Sequence, residues 1–150
     1  MEIWELSARE RIRDSIARYT WSGDAFRLEE LAAAFAPDGA LEVRGEEPVR
    51  GRDAIVAYLG GVAPGGKPAD PGVKRIVRHN LTNVRFLELT PERALVSSYF
   101  LVVTEIGLDH IGRYRDAFVP VGDEWLIEHR FVSTDWRSPS STMASEDSVR

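Results

Sequence analysis

Four long runs of β-branched and aromatic residues follow one another in the second half of the chain, with only turns between them. The runs cover residues 76–87, 93–105, 111–121 and 125–136. The links contain turn formers such as Pro91, Gly107 and Gly122, and they are too short to hold a crossover helix, so neighbouring strands must be antiparallel. Strands of this length exceed the usual five or six residues, and the sheet is therefore expected to twist and curl.

The first half of the chain has helical periodicity instead. Ile12, Ile16 and Tyr19 recur at the spacing of one helix face. Ser7 and Glu10 have the spacing of a capping box, in which the serine caps an early amide and the glutamate reaches back. We therefore predict a first helix that begins at Ser7.

Gly23 interrupts this helix, and a second amphipathic helix follows. Its end is predicted at the Pro-Asp-Gly turn of residues 37–39. A short strand is expected over residues 40–43 and a third helix over residues 51–59. The apolar stripe of the second helix consists of Leu28, Leu31, Ala32 and Phe35.

Two segments lack any periodic pattern. Residues 60–72 hold five glycines and three prolines, so we predict a loop there, with the mobility that a pocket lid needs. The polar, serine-rich residues 138–150 are expected to be a disordered tail. This leaves one α+β domain over residues 1–137, in which a curled, cone-shaped sheet packs against three N-terminal helices and encloses an apolar pocket.

Composition narrows the functional classes. The formal net charge of −5 without a basic stripe argues against a nucleic-acid partner. The absence of cysteine excludes a thiol nucleophile and a zinc-thiolate site. No apolar run approaches the roughly 18 residues of a membrane span, and the N-terminus is acidic rather than signal-like, so a cytoplasmic protein is expected.

Three polar residues are candidates for chemistry, each with a structural alternative. Tyr19 lies on the apolar face of the first helix, where it is either a core tyrosine or a hydroxyl directed into the pocket. Asp24 precedes the second helix and fits a helix cap as well as a catalytic carboxylate. His79 belongs to an unusually polar strand segment, which suggests a site.

Other titratable residues fit a catalytic role less well. His110 follows a turn and is expected to be solvated, whereas His129 alternates with apolar neighbours and so faces a pocket or an interface. Asp116 is expected to be exposed or paired with a nearby arginine such as Arg113 or Arg115. The histidines lack the spacing of metal ligands, so no metal site and no cofactor are predicted.

In combination, several stretches resemble the SnoaL-like family of the nuclear transport factor two-like superfamily. The resemblance extends over nearly the whole chain except the tail. It rests on the order and spacing of residues 16–19, Asp24, 31–38, 51–55, 78–84, 98–102, 112–114 and 125–130.

Within this superfamily the chain is most similar to the scytalone dehydratase and bile-acid dehydratase types. Those enzymes have a tyrosine and an aspartate at the end of the first helix and a histidine on the first long strand, and Tyr19, Asp24 and His79 fall on these positions. A second histidine of scytalone dehydratase, on the second long strand, is replaced by Thr104.

The resemblance implies a cofactor-free dehydratase or isomerase that acts on a small apolar cyclic carbonyl compound, such as a polyketide, terpenoid or steroid. His79 would move the proton, as an imidazole with an unperturbed pKa of about 6.5 can at neutral pH. Asp24 would orient His79, and Tyr19 would bind the developing enolate, which contributes about 3 kcal/mol in a dry site. The expected substrate-binding residues are Trp21, Phe26, Phe100, Val102 and Asn83.

Two alternatives share this fold. An aldol-type polyketide cyclase would use the same acid–base pair on a different bond. A non-catalytic small subunit or ligand-binding module would instead have a filled or shallow cone. In each case the open face of so large a sheet needs covering, so a homodimer or trimer is expected.

Overall fold

The computed structural model describes residues 1–61, 72–146 and 149 of the chain. The helices within these ranges are α1 (Ile3–Asp24), α2 (Leu28–Ala32) and α3 (Arg52–Gly61). The strands are β1 (Phe35–Val43), β2 (Val49–Arg50), β3 (Val77–Leu89), β4 (Ala94–Thr104), β5 (Gly107–Val121) and β6 (Glu124–Arg137).

All six strands form a single sheet in the order β2-β1-β6-β5-β4-β3. The four long strands pair with their sequence neighbours in antiparallel fashion, as the short links require. β1 lies parallel to β6, which makes the sheet mixed. The predicted α+β class, with helices packed against a mixed sheet, is confirmed.

The core lies between the helices and one face of the sheet. Side chains of β4 alternate, so that Val96, Phe100 and Val102 are buried while Tyr99 and Val103 are exposed. From the helical side, Ile12 and Ile16 of α1 belong to the same apolar cluster. The helices therefore cover the inner face of the sheet.

β1 is longer than predicted. It begins at Phe35 rather than at residue 40, so the Pro-Asp-Gly segment lies inside a strand and not in a turn, and α2 is correspondingly short. The pairing with β6 shifts register between Phe35 and Ala40, and this irregularity tolerates a proline. A side chain at Gly39 would lie 2.6 Å from the carbonyl oxygen of Ile127, which explains the glycine.

α1 begins one turn earlier than predicted. Glu2 and Glu5 form the capping box at its start, whereas the Ser7 hydroxyl only accepts a hydrogen bond from Arg11. The two candidate boxes have the same spacing, and the earlier one extends the helix by the four residues 3–6.

The C-terminal strands also differ at their ends. β5 begins at Gly107, so residues 107–109 belong to the strand and the turn before it is tighter than predicted. The segment after β6 is packed where residues 138–146 are described: Ser141 is buried and hydrogen-bonded to Asp109. The sequence had suggested that these residues are disordered. The domain boundary at residue 137 stays a prediction.

Most of the predicted lid loop, residues 62–71, lies outside the described residues. Among the helices of the described ranges, none combines the length and the apolar character that a membrane crossing requires.

Candidate active site

Asp24 and His79 form a hydrogen-bonded pair at the end of α1. One carboxylate oxygen of Asp24 lies 2.6 Å from Nδ1 of His79, and the other accepts the backbone N–H of the same residue at 2.9 Å. Asp24 does not cap α2, because Arg27 occupies the N-cap position and no side chain caps it. The carboxylate thus bonds to His79 of β3 instead, and it joins the last turn of α1 to the sheet.

The hydrogen bond determines the tautomer of His79. A carboxylate only accepts hydrogen bonds, so Nδ1 of the imidazole carries the proton, and in the neutral ring Nε2 keeps its lone pair. His79 is also one of the residues that line a pocket between the helices and the sheet. The pair therefore has the arrangement of a general base with an orienting carboxylate.

The pocket has a volume of about 160 Å³. Its apolar walls come from β1, α3, β4, β6 and the segment after β6. Its polar groups are tyrosine hydroxyls, two imidazoles, the Glu46 carboxylate and a few short side chains. The residues that line it are Tyr19, Leu41, Val43, Glu46, Tyr58, Leu59, His79, Phe100, His110, Tyr114, Val132, Thr134, Met143, Ala144 and Ser145.

Tyr19 lies in the pocket wall on the inner face of α1. Its ring meets the rings of Phe35 and Tyr114 edge-on, at centroid distances of 5.9 and 6.1 Å. Burial raises the pKa of Tyr19, and the positive charge of Arg130 offsets part of this rise. The phenol therefore stays protonated and can donate a hydrogen bond to a ligand.

Arg130 and Asp116 form a fully buried ion pair next to Tyr19. Nε and Nη2 of the guanidinium donate to the two carboxylate oxygens at 2.8 and 2.7 Å. Burial disfavours the charged guanidinium, but Asp116 outweighs this effect and raises the pKa of Arg130. The planar group lies 4.2 and 4.0 Å from the ring centres of Tyr19 and Tyr114, so it holds both tyrosines through cation–π contacts.

This ion pair corrects the prediction for Asp116, which was that its side chain is exposed or paired with a nearby arginine such as Arg113 or Arg115. Asp116 is directly opposite Arg130 in the β5–β6 register, while Arg113 pairs with Asp135 at the surface. Arg130 is distant from Asp116 in sequence but close in space, because the β5–β6 hairpin places the two residues opposite each other.

A second imidazole, His110, also lines the pocket, and its Nδ1 lies 2.7 Å from Asp109. The prediction that His110 is solvated was wrong, because β5 begins earlier than expected and directs it inward. Burial lowers the pKa of His110, and the Asp109 carboxylate counteracts part of this effect. The sequence signal that could have revealed the pair is the adjacent Asp-His within a strand.

The structure does not bring all predicted substrate-binding residues to the pocket. Phe100 lines it, and Val102 is buried opposite His79 and His110 in the core. Trp21 and Phe26, by contrast, are 75% and 68% exposed, and Asn83 is exposed as well.

These misplacements have local causes. Trp21 lies on the outer side of α1, and Phe26 and Asn83 have left-handed backbone conformations with φ of 56° and 54°. Phe26 follows the helix end, and Asn83 lies where the β3–β4 register shifts. Periodic patterns do not predict side-chain direction at such positions.

His129 is not among the pocket residues. Its Nε2 lies 2.7 Å from a carboxylate oxygen of Glu42, and both side chains are partly exposed. The histidine thus has the same kind of partner as His79 but a different environment, which makes it a natural control.

Comparison with known proteins agrees with this architecture. The family model of the SnoaL-like domain matches residues 4–131. Among functionally curated proteins, none matches the chain.

Three solved structures illustrate the similarity. The Mycobacterium tuberculosis protein Rv3472, of unknown function and solved as an aspartate-to-asparagine variant, is 26% identical, with a TM-score of 0.70 over 91% of this chain and 81% of that one. A Catenulispora acidiphila protein in complex with S-DNPA is 26% identical, with a TM-score of 0.70 over 84% and 92%. A putative scytalone dehydratase from Novosphingobium aromaticivorans is 24% identical, with a TM-score of 0.72 over 95% and 92%, and shares the fold.

Proposed function

Because this chain belongs to the SnoaL-like family, we propose that it is a cofactor-free acid–base enzyme that dehydrates a small apolar cyclic β-hydroxy ketone. The observation that carries the proposal is the Asp24–His79 pair at the pocket, in which the carboxylate occupies the Nδ1 side of the imidazole. A general base needs this combination of an orienting partner and a free ring nitrogen.

The reaction begins with His79. Its Nε2 removes the proton next to the substrate carbonyl, and the electrons of the C–H bond form an enolate. The negative charge of Asp24 stabilises the imidazolium that results. The enolate then expels the β-hydroxyl group, which takes the proton from His79 and leaves as water, so that a carbon–carbon double bond remains.

Tyr19 supports the enolate stage. Its protonated hydroxyl can donate to the carbonyl oxygen as negative charge develops there, and the adjacent Arg130 strengthens this donor. The tyrosine ring is held by Arg130 and by Phe35, so the hydroxyl is already oriented when substrate arrives.

The size of the pocket limits the substrate. A closed cavity of about 150 Å³ accommodates one benzene ring, and this pocket has about 160 Å³. A ligand of one or two rings therefore fits better than a four-ring steroid. The S-DNPA complex of the related Catenulispora protein supports a small-molecule ligand.

The pocket also argues for an enzyme over a non-catalytic subunit. A subunit needs only a filled cone, and apolar side chains would fill it at lower cost than paired imidazoles. Here Tyr19, His79 and His110 all line one open pocket. Such a convergence of polar groups in an apolar site is typical of catalysis.

The proposal is tested with 3-hydroxy-1-tetralone, which gives fluorescent 1-naphthol when it loses water. We expect turnover by the wild type and a fall in kcat of about 10²–10⁴-fold in His79→Gln, since the base is lost. The matched control is His129→Gln, which also removes an imidazole from a carboxylate but outside the pocket. It should keep wild-type kcat.

Thermal unfolding of both variants separates chemistry from folding. His79→Gln should keep a Tm close to that of the wild type. Undiminished turnover in this variant, or a loss of activity that merely parallels a collapse in Tm, would contradict the catalytic role.

A further inference from the structure

The residues after β6 contact the pocket, although the proposed reaction gives them no role. Met143, Ala144 and Ser145 line the pocket, although they belong to the segment that follows the last strand. Met143 also packs against the apolar core cluster, and Ala144 is buried. One wall of the pocket is therefore formed by a short non-helical, non-strand segment.

A buried carboxylate, that of Asp109, accepts several of the hydrogen bonds that hold this segment. Asp109, which is fully buried, accepts a hydrogen bond from the Ser141 hydroxyl at 2.5 Å and from the Thr142 backbone N–H at 3.1 Å. Its backbone carbonyl accepts the N–H of Ser138 at 2.7 Å. The hydroxyl of Thr104 donates to the same carboxylate from β4, at 3.1 Å.

Ser141 in turn shapes the segment. Its hydroxyl oxygen accepts the backbone N–H groups of Met143 and Ala144, at 3.3 and 3.0 Å. These bonds form a tight turn, which places Met143 against the pocket. Loss of the Ser141 hydroxyl removes its own bond to Asp109 and both bonds of the turn, so that the backbone N–H of Thr142 is left to hold the segment on the carboxylate.

The anchor also contacts the second imidazole of the pocket. Ser141 Oγ and His110 Nδ1 share the same oxygen of Asp109. Burial raises the pKa of Asp109, but the hydrogen bonds from Ser141 and His110 outweigh this and hold the pKa below its ordinary value. Movement of the segment must therefore change the environment of His110.

We propose that residues 141–145, here called the strap, form a wall that sets the size of ligand the pocket accepts, with Met143 as the specificity-determining residue. Asp109 is the positioning residue that ties the strap to His110. This proposal rests on the proposed function in one respect, namely that the ligand is a small cyclic ketone.

The first test measures ligand size. The dissociation constants of 1-tetralone, with two rings, and anthrone, with three, are determined for the full-length wild type, Met143→Ala, Ser141→Ala and Ser140→Ala. The wild type should favour 1-tetralone. Met143→Ala and Ser141→Ala should reduce this preference by about tenfold or more, because they enlarge or release the wall. Ser140, which is exposed and has no side-chain bond to Asp109, gives the control.

The second test follows the His110 imidazole by NMR during a pH titration without ligand. In Ser141→Ala its pKa should rise towards the ordinary value, since Asp109 loses a competing donor and water reaches the ring. The other titratable side chains that act on His110 are those of His79 and Arg137, and neither residue is replaced in the variant. Ser140→Ala should titrate as the wild type does.

The two proposals can fail separately. An unchanged His110 titration in Ser141→Ala, together with an unchanged preference for 1-tetralone in both pocket variants, overturns the strap even if the enzyme dehydrates hydroxy ketones. The absence of dehydration overturns the proposed reaction, whereas altered ligand preference and altered titration would still support the strap. Failure of both ketones to bind any of the proteins overturns the size limit.

Discussion

Arg130 is a large cation buried without exposure to water, and its neighbours explain how the fold tolerates it. Asp116 neutralises the charge through two parallel hydrogen bonds, and two tyrosine rings cover the guanidinium. Such a pair is costly to bury, yet even costlier to break, because one partner alone leaves an uncompensated charge in the core. The pair therefore orients Tyr19 and Tyr114 at the pocket wall more than it stabilises the domain.

Replacing one partner of this pair should destabilise the protein strongly. We expect Asp116→Asn to lower the free energy of unfolding by about 3–5 kcal/mol, since Arg130 would remain buried and unpaired. The matched control is Asp135→Asn, which breaks the partly exposed pair with Arg113 and should cost about 1 kcal/mol or less. Urea denaturation of the two variants gives the comparison, and equal losses would contradict the account of the buried pair.

At the scale of the elements, β5 carries a large share of the site. Asp109 and His110 lie near its start and Tyr114 and Asp116 near its middle, all on buried positions. Gly112 lies between them, where the ring of Phe100 packs over the strand. A side chain there would clash with the carbonyl oxygen of Ser133 and come within 2.5 Å of Cζ of Phe100.

Gly112→Ala should therefore disturb both stability and the pocket. The added methyl group has no space, and overpacking of this kind costs about 1–3 kcal/mol. Because Phe100 must move, and its ring meets His110 edge-on at 5.7 Å, ligand binding should weaken too. Gly61→Ala, whose added methyl group meets no atom of the described residues, is the control and should stay within about 0.5 kcal/mol of wild type. Chemical denaturation and ketone titration measure both effects, and a Gly112→Ala variant that behaves as the wild type would refute the packing argument.

The predictable part of the molecule is the part governed by local patterns. The antiparallel order of the four long strands followed from link length, and the approach of Asp24 to His79 was anticipated from the family resemblance. The extent of β1 was not predictable, because its Pro-Asp-Gly segment has turn residues and lies extended between Phe35 and Ala40, which both pair with the distant β6.

The contacts of the site that the sequence did not predict depend on how the strands are aligned with one another. Asp116 meets Arg130, and Asp109 meets Ser141, only after two strands or a strand and a following segment are aligned. No local spacing encodes either contact. His110 was misjudged for the same reason, since a shift of a few residues in the start of β5 decides whether it faces solvent or the pocket.

At the scale of the whole molecule, the outer face of the sheet exposes an apolar patch across β4, β5 and β6. Cross-strand partners align side chains on this face, so that Val103 lies opposite Leu108, and Ile111 lies opposite Trp136. Tyr99, Val103, Leu108 and Trp136 are all exposed in the single chain. Monomeric proteins rarely leave such a contiguous patch in water, because its burial against a second copy is favourable.

We therefore expect a homo-oligomer, a dimer or a trimer, that associates through this face. Val103→Glu puts a charge into the patch and should shift the mass measured by light scattering after gel filtration towards one chain, because burying a carboxylate against an apolar surface is costly. The control is Ile3→Glu, since Ile3 is also apolar and exposed but belongs to α1, which packs on the opposite side of the sheet. It should leave the mass unchanged. A monomeric wild type, or an oligomer that Val103→Glu leaves intact and Ile3→Glu disrupts, would show that the sheet face is not the interface.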